Sequence, residues 1–145
     1  MSFLMECADL QKILDMGGTD ASVLLVDVCS EESYLAGHIP GSVHLLPKQL
    51  MAGQAPAPGK LPSEEALQAL MSALGITPDT FVVAYDDEGG GWAGRLIWTL
   101  DVLGHNNYAY LNGGLVAWRD ESRELETSAK APTPVDVSPK IVNTE

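Results

Sequence analysis

The residues equipped for chemistry gather at one corner of this chain. Asp86, Asp87 and Glu88 set three consecutive carboxylates directly before Gly89, Gly90 and Gly91, with Trp92 and Arg95 close behind. Glycines at 89, 91 and 94 satisfy GxGxxG, the spacing that lets a loop approach a dinucleotide pyrophosphate at a helix N-terminus. Two features oppose nucleotide binding. In a dinucleotide fold the glycines follow the strand directly, whereas here three acids intervene and set negative charge beside a pyrophosphate. The acid required about 20 residues further on is replaced by Asn112 and Gly113.

Clustered carboxylates can instead bind a hard cation or share a proton. Consecutive residues rarely converge on one ion without a loop built for it, and EF-hand spacing is absent. The competing reading keeps Asp87 and Glu88 solvated and has Asp86 cap the following helix. Its carboxylate would accept backbone N–H bonds as an internal substitute for a bound anion. Cys7 and Cys29 belong to no CxxC or Cys/His cluster with metal spacing, so neither a metal nor a cofactor is expected.

The elements that must position this corner follow from hydrophobic periodicity. ADLQKIL, 8–14, has the spacing of a short helix, and VLLVDV, 23–28, is a continuous aliphatic run of strand length. Ser30 is an N-cap for SEESYLAG, with Glu31 and Glu32 at the positive end of the dipole and Gly37 as a left-handed stop. SVHLL, 42–46, reads as a second strand, followed by a turn-rich connection holding Pro56, Pro58 and Pro62. Ser63 caps a longer helix that ends at Gly75, and FVVAY, 81–85, is the clearest strand. A helix from about Trp92 to Leu103, the strand YAYL and a short helix over 115–119 complete the alternation. The order predicts an α/β fold: a mostly parallel central sheet flanked by helices on both faces.

With 145 residues, 46% hydrophobic and 19% charged, the chain suits one packed domain. Eight basic against 20 acidic residues give a net charge of −12, a field that repels nucleic acid and anionic membrane surfaces. Two cysteines make no disulfide framework, and neither a secretory signal nor a long apolar span is present, so a reduced, cytoplasmic protein is expected. Residues 1–122 read as the domain. Residues 123–145, interrupted by Pro132, Pro134 and Pro139, read as an inter-domain linker cut short.

Three segments taken together, DVCSEESYLAGHIPGS at 27–42, VVAYDDEGGGWAGRLIWTLDVLGH at 82–105 and YLNGGLVAW at 110–118, resemble the rhodanese domain family. The likeness runs in order over nearly the whole of residues 8–120. Its DDEGGGWAGR loop is most similar to the non-catalytic N-terminal domains of two-domain thiosulfate sulfurtransferases. The resemblance implies a rhodanese-like fold. It also implies that a catalytic cysteine, which would carry sulfur as a persulfide, belongs where Asp86 stands. A carboxylate cannot accept a sulfane sulfur, so this domain is expected to be inactive alone. Residues 86–92 with Arg95 become a pseudo-active-site loop, and the anion in its nest of N–H groups is read as Asp86 itself. Arg95 is read either as neutralising part of the acidic cluster or as an ordinary surface arginine.

Asp27, at the end of the first strand, and the turn Gly37, His38, Ile39, Pro40 and Gly41 carry over as a structural motif. His38 is read as a hydrogen-bonding turn residue rather than a base, and His44 and His105 as weaker candidates still. Cys29 could gain from a helix dipole, yet Glu31 and Glu32 should raise its pKa; both cysteines are read as partly buried or unreactive. The implied parent enzyme moves sulfur from thiosulfate to cyanide or a thiol. Its active cysteine lies in a C-terminal rhodanese domain that this one packs against, with Trp92 and the acidic loop in the contact. The alternative is a stand-alone, inactive rhodanese-like module that binds a partner or small ligand.

Overall fold

Short aliphatic runs become the inner strands of one sheet. The computed structural model describes residues 4–16, 23–50, 62–129, 132, 134, 135 and 137. In chain order the elements are β1 (Leu4–Met5), α1 (Cys7–Asp15), β2 (Val23–Asp27), α2 (Glu31–Ala36) and β3 (Val43–His44). A 3-10 turn (Pro47–Leu50), α3 (Glu64–Leu74), β4 (Phe81–Tyr85), α4 (Gly91–Val102), β5 (Tyr108–Leu111) and α5 (Gly114–Asp120) follow. The strands form one sheet in the order β1-β5-β4-β2-β3, and every pairing is parallel. The expected α/β architecture with a parallel sheet is present.

Alternate residues of a strand point to opposite faces, and the core divides accordingly. Val26, Val82 and Ala84 join the layer of α3 and α4, with Leu67, Met71, Leu96 and Leu100. Leu25, Val83 and Tyr85 join the layer of α1 and α5, with Cys7, Leu10, Leu115 and Trp118. Helices therefore cover both faces, and the continuous apolar runs of β2 and β4 are explained by burial on both sides.

Helix ends follow the sequence except at one glycine. Ser30 Oγ accepts from Ser33 N at 3.1 Å and Ser63 Oγ from Ala66 N at 3.2 Å, as their types predict. Gly75 adopts the left-handed conformation at φ 81°, whereas Gly37 ends α2 in extended backbone at φ 161°. Gly37 is therefore no left-handed stop: the chain leaves α2 extended, directly into a bridge between His38 and Glu126. β1 and the 3-10 turn were not legible in the sequence, the one too short for any period and the other opened by a proline. The turn-rich connection falls largely on residues 51–61, outside the described residues.

Parts of the segment read as a linker lie against the domain. Leu125 packs on the α1/α5 layer and Val137 on the α3/α4 layer. Val135 N donates to Ser72 O at 2.8 Å, and Ser72 Oγ donates to Val137 O at 3.0 Å.

Candidate functional site

β4 delivers Asp86 to the carboxyl edge of the sheet, where open α/β folds place their ligands. There Asp86 is 2% exposed. Its Oδ1 accepts from Glu88 N at 3.0 Å and from Gly90 N at 2.9 Å, and its Oδ2 accepts from Ala93 N at 2.8 Å. The backbone that would wrap an external anion has closed around this carboxylate. The N-cap position of α4 belongs to Gly90, which has no side chain, so Asp86 supplies the acceptor from four residues upstream.

Two glycines shape the loop. Gly89 and Gly90 sit at φ 84° and 97°, a region costly for any residue with a Cβ. The Tyr110 hydroxyl fills the space where a Gly90 side chain would go. Gly91 and Gly94 have open space about them and no positive φ, so the GxGxxG spacing is not the pattern of conformational need. From the other side, Leu115 N donates to Asp86 O at 2.9 Å, and Gly114 lies directly against that carbonyl. Burial, then the charge of Asp86, pushes the Tyr110 phenol above its ordinary range.

The other members of the loop go separate ways. Asp87 is not simply solvated: its Oδ2 accepts from Ser33 Oγ at 2.8 Å, tying α2 to the loop, while Glu88 is exposed. Arg95 reaches other partners. Its Nε donates to Leu50 O at 3.0 Å and its guanidinium lies 4.6 Å from the Trp98 ring centroid, a cation–π contact. Trp92 is half-buried and packs on the α3/α4 layer.

Beneath the loop lies a buried polar network in which sequence reasoning missed Tyr85, Ser42 and Tyr34. Tyr85 Oη donates to Asp27 Oδ2 at 2.6 Å, and Cys29 N donates to Asp27 Oδ1 at 2.8 Å. Ile39 N donates to Tyr85 Oη at 3.1 Å, Ser42 Oγ lies 3.0 Å from it, and Tyr34 Oη donates to Ser42 O at 2.8 Å. The network reaches His38, whose Nδ1 is 2.8 Å from Tyr34 O. Asp27 and His38 thus serve the turn, with Pro40 and Gly41 half-buried at its rim. The one available signal was Tyr85, a polar-tipped aromatic closing an aliphatic strand.

Neither cysteine is placed as a nucleophile. Both are free and buried. Burial, then the Asp27 carboxylate and, less strongly, Asp87, pushes the Cys29 thiol far up; Glu31 and Glu32 are not among the causes. Burial, then Glu121, raises Cys7. His44 Nε2 lies 2.7 Å from Cys29 O and His105 Nε2 2.9 Å from Thr80 O, each at a backbone carbonyl. Among the described residues no group of three or more His, Cys, Asp or Glu side chains could hold a metal ion. Nor is any helix among them long and apolar enough to cross a membrane.

Comparison with known proteins identifies the family of this strand-loop-helix fold. Residues 6–121 fit the family model described as the rhodanese-like domain. The chain belongs to the rhodanese-like domain family. A thiosulfate sulfurtransferase of Azotobacter vinelandii is 48% identical over 132 residues, covering 91% of this chain and 47% of that protein. Another from Pseudomonas aeruginosa is 52% identical over 110 residues, 76% of this chain and 41% of that one. This rhodanese-like domain thus spans about half the length of these relatives. Among solved structures, that of SseA from Escherichia coli is described as showing the "rhodanese" fold and catalytic mechanism of 3-mercaptopyruvate sulfotransferases. It superposes with a TM-score of 0.83 at 25% identity, over 97% of this chain and 56% of that one.

Proposed function

We propose that this chain is the non-catalytic, N-terminal rhodanese domain of a two-domain thiosulfate sulfurtransferase. The observation that supports this is Asp86, a buried carboxylate holding three backbone N–H groups at the position where the family resemblance calls for a sulfur-carrying thiolate. In the reaction a thiolate attacks the outer sulfur of thiosulfate, the S–S bond breaks, and sulfite leaves with the bonding pair. Cyanide or a thiol then removes the sulfane sulfur, as thiocyanate or a new persulfide, and the thiolate is restored. A carboxylate oxygen offers no such exchange. Those steps belong to a cysteine of a C-terminal rhodanese domain, and the relatives, about twice the length of this chain, have room for one.

The role of this half is to pack against the catalytic one and shape its entrance, with Trp92, Asp87 and Glu88 along the contact. Two buried, free thiols suit the reducing cytoplasm. Incubating the purified 145-residue chain with thiosulfate and cyanide tests the reading. No thiocyanate above the protein-free blank is expected, whereas turnover by this chain alone overturns it. In the full-length enzyme Trp92→Ala is expected to lower stability and alter KM for thiosulfate; unchanged values overturn the assigned contact.

A further inference from the structure

The GHIPG turn grips the later part of the chain through a clasp that the proposed function does not use. His38 N donates to Glu126 O at 2.9 Å, and Glu126 N donates back to His38 O at 2.8 Å. The Glu126 carboxylate accepts from Gly41 N at 3.0 Å and lies 3.4 Å from His38 Nε2. Trp118 Nε1 donates to Glu124 O at 2.7 Å, and Leu125 packs beside Gly37. Residues 124–128 are therefore a strap, and His38 stands at its centre.

The His38 ring is fully buried, and both of its nitrogens face carbonyl oxygens. Nδ1 is 2.8 Å from Tyr34 O and Nε2 is 2.9 Å from Ser128 O. A neutral imidazole donates from one nitrogen and turns a lone pair outward from the other, which a carbonyl repels; the imidazolium donates from both. Two negative partners face the imidazolium. Tyr34 O lies in the last turn of α2, at the negative end of its dipole, and Glu126 supplies a full negative charge. Burial opposes the imidazolium, because the ring is shielded from solvent. Among the described residues, Tyr34 is stacked on the imidazole at 3.8 Å and His44 on the Tyr34 ring at 4.8 Å. The exposed Glu31 and Glu32 stand at the opposite end of α2.

We propose that His38 is a proton-operated clasp. Carrying both ring protons, it fastens the strap at residues 124–128 to the end of α2; losing one, it forfeits one of its two ring hydrogen bonds and the strap loosens. The fastening therefore weakens when rising pH takes one of the two ring protons.

Nitrogen-detected proton NMR of the His38 ring, run beside amide exchange on the same chain from about pH 5 to about pH 9, provides the test. Both ring nitrogens should carry protons at the acidic end. After correction for intrinsic exchange, protection of the Glu126 amide should fall by about fivefold to tenfold as one proton leaves, the effect of one lost hydrogen bond. His38→Asn, which does not titrate, should show protection independent of pH. A ring with a single proton throughout, or Glu126 protection that ignores the His38 titration, overturns the proposal. The unsubstituted chain decides by itself if the variant does not fold.

Discussion

Tyr85 and Asp27, 58 residues apart, meet in the core through a 2.6 Å hydrogen bond, directly beneath the loop that begins at Asp86. The tyrosine hydroxyl donates to the carboxylate while also receiving the Ile39 N–H, so one phenol joins the ends of β2 and β4 to the GHIPG turn. Tyr85→Phe removes the donor and leaves a buried carboxylate oxygen unpaired. The expected cost is about 3 kcal/mol, because the stranded acceptor is charged. Urea titration of both proteins measures it.

The same phenol sets an alkaline limit. Burial, then Asp27, pushes Tyr85 well above its ordinary value of 10.0, so the folded chain keeps the proton after the unfolded chain has released it. Its stabilising contribution is complete below that ordinary value and declines as pH rises beyond it. Cys29, raised from 9.0, acts with the same sign from a lower onset. Urea midpoints should fall progressively above about pH 9, and Tyr85→Phe should flatten the steeper part above the tyrosine onset.

Asp86 is expected to be worth more to the fold than an ordinary surface acid. Asp86→Ala strips acceptors from three amides and should cost about 3 kcal/mol, more than the loss of an ordinary cap. Asp86→Asn keeps the oxygen that serves Glu88 and Gly90 but turns an amino group toward Ala93 N, so its cost should be roughly half as large. Thermal and urea unfolding rank the two, and equal losses would contradict the geometry.

The loop glycines should respond with opposite signs. Gly90→Ala puts a Cβ at φ 97° and against the Tyr110 hydroxyl, costing about 2 kcal/mol or more. Pairing it with Tyr110→Phe should recover part of that, a coupling readable in a double-mutant cycle. Gly94→Ala, exposed within α4 with nothing near its new methyl, should gain about 0.5–1 kcal/mol.

Cysteine labelling checks the inert thiols. In the native chain at neutral pH neither Cys7 nor Cys29 should react with an alkylating reagent on the timescale of a free thiol, since both are buried with raised pKa values. In urea both should react completely. Rapid native labelling of Cys29 would contradict its placement.

The sequence by itself determined whatever depends on neighbours in the chain. Apolar runs at strand length, helical stripes, Ser30 and Ser63 as caps and the parallel alternation were all legible, because period and capping act within a turn or two. The occupancy of the nest was legible for the same reason: Asp86 and the three amides it holds span eight residues, 86–93. Tertiary structure alone decided the rest. Ser33 reaches Asp87 across 54 positions, Tyr85 reaches Asp27 across 58 and His38 reaches Ser128 across 90. Arg95 meets Leu50 and Trp98, and Gly37 stayed extended because the next residue pairs with the strap. No local pattern encodes such partners; they are chosen when the sheet orders its strands and brings distant side chains to one edge.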